Sequence, residues 1–239
     1  MDLSADPGVR PPAGPLLPGP LGALEGLTEV RRCPLVPEIQ LHLAPDTMAL
    51  WERLEPQIES GALPPPFWAT AWAGGLALAR HVLDHPELVA GREVVDVGSG
   101  SGLVAIAAAL AGAARVRAYD VDPVATAAVA RNAQLNRVEV AAEVRDVRQL
   151  DAAAGTVVTA GDVFYSADIA AAMAPALSSV ARAGALVLVG DPERPLLPTG
   201  LLVPLARYDV AVDPAVEAAD TKSTLVALVA AEELGEGVV

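Results

Sequence analysis

From residue 93 onward, short apolar runs alternate with stretches whose apolar residues recur at helical spacing. Glu93–Val97 reads as a strand. Leu103, Ile106, Ala107 and Leu110 then fall at i, i+3, i+4 and i+7, the stripe of a helix. Val116–Tyr119 is a second strand. Asp122-Pro123 supplies an N-cap with proline at the first helical position, and a helix is predicted to about Asn136. Val138–Val144 and Thr156–Ala160 are the third and fourth strands. Ser166 caps a helix that turns Ile169, Met173, Leu177 and Val180 inward, and Ala185–Val189 is the fifth strand. Pro195, Pro198 and Pro204 leave room for only a short helix before the last two strands, Arg207–Val212 and Ser223–Ala230. Strands alternating with helices predict an α/β fold with a mostly parallel, doubly wound, seven-stranded sheet. The final two strands, with no full helix between them, predict an antiparallel hairpin at one edge.

The first part of the chain is patterned differently. Residues 1–28 contain six prolines and five glycines without a periodic apolar face, and read as a disordered tail. Ile39–Leu43 alternates with period two and reads as a strand with His42 on its polar face; residues 48–60 read as a short helix carrying Trp51. Pro64-Pro65-Pro66 interrupts regular structure. A helix with Leu76, Ala79 and Leu83 on one side follows and ends before Pro86 and Gly91. The expected organisation is therefore a tail (1–28), an N-terminal extension covering the site (29–91) and a core (92–239).

Composition narrows the function. Apolar residues make up 53% of the 239, enough to bury a sizeable core, but no unbroken apolar stretch reaches the roughly 18 residues of a membrane span. No basic region followed by an apolar run opens the chain, so a cytoplasmic setting is expected. Thirty acidic against sixteen basic residues give a net charge of −14, which argues against a nucleic-acid surface. One cysteine, Cys33, and three scattered histidines offer neither an intrachain disulfide nor a metal site.

The candidate chemistry begins at Val94-Val95-Asp96-Val97-Gly98-Ser99-Gly100-Ser101-Gly102, between a strand and a helix. Glycines there let the backbone turn sharply and approach a ligand closely. The spacing is G-x-G-x-G; the dinucleotide fingerprint places its third glycine one residue later, where Leu103 stands. Asp96, just ahead of the glycines, is a poor neighbour for a pyrophosphate and a good partner for an ammonium group. Asp120 closes the next strand, where a carboxylate can accept both hydroxyls of a ribose. A ligand with a ribose, an ammonium group and no phosphate is S-adenosylmethionine, so Asp96, Gly98, Ser99, Gly100 and Asp120 are the expected cofactor-binding residues.

These residues and their flanks resemble motif I of class I S-adenosylmethionine-dependent methyltransferases. Further segments carry the likeness: Pro66-Phe67-Trp68-Ala69-Thr70-Ala71-Trp72-Ala73-Gly74-Gly75, Tyr119-Asp120-Val121-Asp122-Pro123, Gly161-Asp162-Val163-Phe164-Tyr165 and Gly190-Asp191-Pro192-Glu193-Arg194-Pro195. Together they resemble the electron transfer flavoprotein β-subunit lysine methyltransferase group of the seven-β-strand enzymes, over about residues 29–231. Ala73 stands where that group often has proline. The resemblance implies a Rossmann-like fold and N-methylation of a protein lysine.

Ligands of open α/β sheets bind at the carboxyl ends of strands beside the topological switch point. Gly161–Tyr165 is therefore expected beside the transferred methyl, with Asp162 and Tyr165 as catalytic candidates and Trp68 and Phe164 as apolar walls of the acceptor site. Trp68 has a plain core role as its alternative. Trp72, just before Gly74-Gly75, is expected to wall the cofactor. Asp146 could accept from an adenine amino group or be an ordinary loop carboxylate. Asp191 could line the same mouth or serve as a turn residue before Pro192. Asp122 is best explained as a helix cap and Tyr119 as packing. Two other functions stay open: N-methylation of a small amine or heteroaromatic metabolite, and a non-catalytic cofactor-binding module.

Overall fold

The sheet grows from valine-rich runs that are buried on both faces, as parallel strands between helical layers must be. The computed structural model describes residues 26–54, 65–212 and 221–231. Most of the expected tail (1–25) and the second half of the expected 48–60 helix lie outside the described residues. The parallel strands are β3 (Glu93–Val97), β4 (Arg115–Asp120), β5 (Ala141–Val144), β6 (Val157–Gly161) and β7 (Leu186–Asp191). With β8 (Leu202–Ala211) and β9 (Thr221–Val229) they form a seven-stranded sheet in the order β5-β4-β3-β6-β7-β9-β8. The switch point therefore lies between β3 and β6.

Alternate residues of each strand feed two cores. On one face Val94, Val116, Ala118, Val157 and Leu188 pack in one cluster with α2 (Ala73–Asp84), α3 (Leu103–Leu110) and α4 (Pro123–Leu135). On the other, Val95, Val97, Tyr119, Val158, Ala160, Val187 and Val189 pack with α5 (Ala167–Arg182). Asp122 and Ser166 cap α4 and α5 as expected, accepting from Val124 N at 2.7 Å and Ile169 N at 3.4 Å.

The third strand begins later than its sequence suggests. Val138 N still donates to Ala133 O, and Arg137 adopts a positive φ of 58°, so residues 137–138 finish α4 before the ladder can start at Ala141. The terminal hairpin is also placed differently in detail. β9 inserts between β7 and β8 and is antiparallel to both, leaving β8 as the edge. Pro204 and an adjacent irregularity in register interrupt that edge, which blunts it against pairing with other chains.

Before β3, the strand expected at 39–43 is longer and has a partner: β2 (Val36–Leu43) pairs with β1 (Glu29–Cys33). Helix α1 (Thr47–Leu54) follows. Two asparagines one turn apart, Asn132 on α4 and Asn136 at its C-cap, fasten this hairpin to the core. Asn136 Oδ1 and Nδ2 bond the backbone N–H and C=O of Gln40, at 2.9 and 2.6 Å. Asn132, fully buried, accepts from His42 N at 2.8 Å and donates to Ser101 O in the glycine loop at 2.8 Å. Their amide groups take up strand-edge groups that would otherwise be buried unpaired.

The start of α2 approaches the sheet backbone to backbone. A Cβ on Gly74 would lie 2.2 Å from Gly190 O, and one on Gly190 would lie 2.2 Å from Gly74 O. Only glycine fits at either position. This contact delivers the segment before α2 to the carboxyl ends of β6 and β7.

Candidate active site

One pocket opens at the switch point, lined by Thr70 and Trp72 before α2, by Asp96, Gly98, Ser99, Gly100 and Ser101 after β3, and by Gly75, Gly161 and Asp162. Its β3–β4 side is built by the glycine loop. Gly98 and Gly100 take positive φ values of 65° and 49°, and the N–H groups of Gly98 and Ser99 donate to Tyr119 O at 2.9 and 3.2 Å. Asp120 ties this loop to β4: Oδ2 accepts from Gly100 N at 2.9 Å and Oδ1 from Asp122 N at 3.0 Å. Burial raises its pKa, and those two N–H groups with that of Val121 pull it back.

Asp96 is buried, at 2% accessibility. Its Oδ1 accepts from Thr159 Oγ1 at 2.7 Å, while Oδ2 has no hydrogen-bond partner. Burial pushes the carboxyl up to about 7, against the lowering by the Thr159 hydroxyl and by the dipole of the Ala105 N–H at the start of α3, which makes no hydrogen bond of normal geometry to it. Ser99 Oγ is a second buried atom without a partner. A buried polar atom left unpaired costs about 1–3 kcal/mol, so two of them lining one pocket mark places that a ligand satisfies.

The β6–β7 side contrasts with this. Asp162, in the left-handed region at φ 58°, turns its carboxylate back into the protein. Oδ2 accepts from Gly75 N in the first turn of α2 at 2.7 Å, where the N-cap Trp72 has no capping side chain of its own. Asp162 therefore caps α2 from another element, at the positive end of its dipole. Oδ1 accepts from Arg194 Nη1 at 2.6 Å, and the same nitrogen reaches Asp191 Oδ2 at 3.2 Å. Burial raises Asp162 to about 6, and the Arg194 charge opposes the rise.

At the mouth, the Phe67 ring lies 5.2 Å from that of Tyr165 and 5.7 Å from that of Trp72, centroid to centroid. The Trp72 indole N–H donates to Phe67 O at 2.9 Å, which fixes the indole plane. Burial, then the nearby Asp120 charge, raises the Tyr165 phenol, so it stays protonated.

The structure thus brings Trp72, Asp96, Gly98, Ser99, Gly100, Asp120, Asp162 and Tyr165 to one site. Four expected site residues are placed elsewhere. Trp68 is 4% exposed and packs with Leu50, Leu54 and Ala125 in a separate core cluster, so it is not an acceptor wall. Phe164, 1% exposed, packs with Val163 in the core cluster under α5, in the loop that follows β6, and so does not wall the acceptor site. Asp191 is fully buried and accepts from Arg194 N at 2.7 Å, which leaves it bracing a turn and not lining the mouth. Asp146 caps a short 3-10 turn and pairs with Arg148, whose Nε lies 2.9 Å from Oδ1, outside the lining of the pocket, as its loop-carboxylate alternative has it. Sequence reasoning missed Phe67, Thr159 and Arg194. A threonine in the apolar run Val157–Ala160 was the one available signal for Thr159; for Arg194 the signal was its place in a motif already noted.

The donor set fits S-adenosylmethionine. Asp96 Oδ2 suits its ammonium group, Asp120 its ribose hydroxyls, and the side-chain-free Gly98–Gly100 backbone admits the chain between them.

Comparison with known proteins agrees. The ribosomal protein L11 methyltransferase family model matches residues 78–190. The human electron transfer flavoprotein β-subunit lysine methyltransferase is 40% identical over 176 residues, 72% of this chain and 66% of that protein. Its Xenopus laevis counterpart is 37% identical over 191 residues, 77% of this chain and 76% of that protein. A putative RNA methyltransferase from Pyrococcus horikoshii shares the fold, with a TM-score of 0.52 at 17% identity over 72% of this chain and 91% of that one.

Proposed function

The chain belongs to the family of electron transfer flavoprotein β-subunit lysine methyltransferases, and from that premise we propose that it methylates lysine side chains of a protein, an electron transfer flavoprotein β-subunit being the acceptor. The methyltransferase class and the cofactor follow from the family. The observation that carries the acceptor reading is the mouth. Phe67, Trp72 and Tyr165 stand as an aromatic collar over a pocket whose polar atoms serve the cofactor. Such rings accommodate the alkyl stem of a lysine and exclude water from its nitrogen. A net charge of −14 further favours approach of a basic protein surface.

S-adenosylmethionine, when bound, supplies a methyl on a sulfonium, which departs as a neutral thioether when the acceptor nitrogen's lone pair forms the new N–C bond. The protein's work is to position and to manage charge. Asp120, oriented by the N–H groups of Gly100 and Asp122, accepts from ribose hydroxyls. Asp96 holds the ammonium end. Gly75 and Arg194 hold Asp162, which keeps the start of α2, and with it Trp72, against the pocket. A lysine, with its ordinary pKa of about 10.4, must lose a proton to water before it can attack. The partly apolar collar favours the neutral amine by desolvation. A cytoplasmic setting belongs to the same proposal.

The test is incubation of the purified protein with methyl-labelled cofactor and a recombinant electron transfer flavoprotein β-subunit, read by peptide mass spectrometry. Methyl groups on lysine peptides are expected. Label on a small amine from a lysate, with none on protein, would establish the metabolite reading instead. Cofactor binding without transfer to either would leave a binding module.

A further inference from the structure

We propose that Thr159 is a positioning residue for the cofactor: its hydroxyl fixes the rotation of the Asp96 carboxylate and keeps it ionised, so that Oδ2 meets the ammonium group as a charged acceptor. This rests on the cofactor reading above. Thr159 lies mid-strand in β6, opposite Asp96 in the parallel ladder with β3. Residues paired in a parallel register point to the same face, so the hydroxyl and the carboxylate leave the sheet side by side. Val94 and Val157, two positions back on each strand, share that face. Thr159 is fully buried, and its Oγ1 donates to Asp96 Oδ1 at 2.7 Å. Its strand neighbours Val157 and Val158 show what packing alone selects there, since a buried hydroxyl costs free energy unless it is bonded. A β-branched side chain has a restricted χ1, so the strand itself aims the donor. With Oδ1 taken, Oδ2 is the oxygen left without a partner, and Asp96 lines the pocket.

The pairing matters because the surroundings of Asp96 work against its charge. Burial above all, and then the Asp120 carboxylate at the end of β4, favour the neutral acid and raise the carboxyl to about 7. A neutral carboxyl still accepts a hydrogen bond from an ammonium group but adds no charge to hold it. A hydrogen bond donated to the ionised form favours that form. Thr159 makes that bond from β6, and α3 turns the dipole of the Ala105 N–H toward the same carboxyl. Across the pocket, Asp162 is already engaged by Gly75 N and Arg194. α2 contributes Gly75 to the lining and α3 contributes Leu103 and Val104, none of which titrates. Thr159 is therefore the side chain that opposes burial at Asp96. Being neutral, it does so without a cation that would compete with the ammonium group.

The experiment is calorimetric titration of the ligand-free protein with S-adenosylhomocysteine, from about pH 5.5 to about pH 9. It compares wild type, Thr159→Val, Thr159→Ser and the double variant Thr159→Val with Asp96→Asn. The ligand's own titration is common to all four and cancels from their ratios. In Thr159→Val the midpoint of the affinity rise is expected to move alkaline by about one pH unit. Binding at pH 7 should then weaken about fivefold, with the gap closing toward about pH 9. Proton release on binding at pH 7, read by repeating the titration in buffers of different ionisation enthalpy, should rise from about half a proton to about one. Thr159→Ser keeps the hydroxyl and should keep the wild-type midpoint. The double variant should lack the affinity rise altogether. Circular dichroism and melting temperature check the fold; if Thr159→Val does not fold, Thr159→Cys reads the same shift, its thiol being a poor donor. A wild-type midpoint in Thr159→Val, even with a uniform loss of affinity, would overturn the proposal and leave Thr159 a packing residue. A wild type whose affinity does not rise near pH 7 would overturn it together with the placing of the ammonium group at Asp96. A wild type that does not bind the ligand would sink the cofactor reading itself, a different result.

Discussion

The two sides of the pocket treat buried carboxylates in opposite ways. On the β3–β4 side Asp96 leaves an oxygen without a partner, at 2% exposure. On the β6–β7 side both oxygens of Asp162 are engaged, by Gly75 N and Arg194. The difference matches what each side must receive. On the proposed function, the cofactor's ammonium group would satisfy Asp96. The acceptor must be uncharged when it reacts, so a free carboxylate there would oppose the reaction. One side is completed by its ligand; the other is completed by the protein.

The largest expected effect breaks the self-completed side. Gly190→Ala would place a methyl 2.2 Å from Gly74 O, a backbone atom that cannot yield. It should cost about 3 kcal/mol or more, a fall in melting temperature on the order of 10 °C, with loss of transfer. Differential scanning calorimetry reads this directly, and a stable, active variant would show that α2 does not dock as described.

Asp96→Asn sharpens the comparison from the other side. Losing the charged partner should weaken S-adenosylhomocysteine binding by roughly 10–100-fold. Its folded pKa of about 7 stands above the ordinary 3.8. The group's stabilising contribution is therefore full below the unfolded pKa and lost as pH rises through about 7. Without ligand, the Asn variant should then melt higher than wild type at pH 8, by roughly 3 °C for about 1 kcal/mol. Wild-type affinity should tighten as pH rises through about 7, while the variant stays flat. Calorimetric titration across that range tests both statements, and parallel pH curves would refute the assignment of Asp96 to the ammonium.

The smallest effect falls on the mouth. Phe67→Ala removes one ring of the collar and should raise KM for the protein acceptor about 3–10-fold, within the ~0.5–1.5 kcal/mol that an aromatic contact contributes. Cofactor affinity should change less than about twofold. Steady-state kinetics with each substrate varied in turn would separate the two, and a loss confined to cofactor binding would move Phe67 to the other side of the pocket.

The glycine-loop side of the pocket was legible in the chain because it is local. Asp96, Gly98, Gly100 and Asp120 lie within a strand–loop–helix–strand segment whose spacing dictates the turn, and positive φ at the glycines follows from chain geometry. Strand and helix alternation likewise determined the doubly wound sheet. The acceptor side depends on contacts between elements far apart in sequence: Gly74 on Gly190, Asp162 on Gly75 and Arg194, Phe67 on Tyr165. Sequence supplied the residue types there but not which way each side chain faces. Trp68 and Phe164 entered the core while Phe67 and Tyr165 remained at the mouth, although each pair is adjacent in sequence and neither lies on a strand whose alternation could be read. Only tertiary packing chose between them, since it alone decides which face of each segment is removed from water.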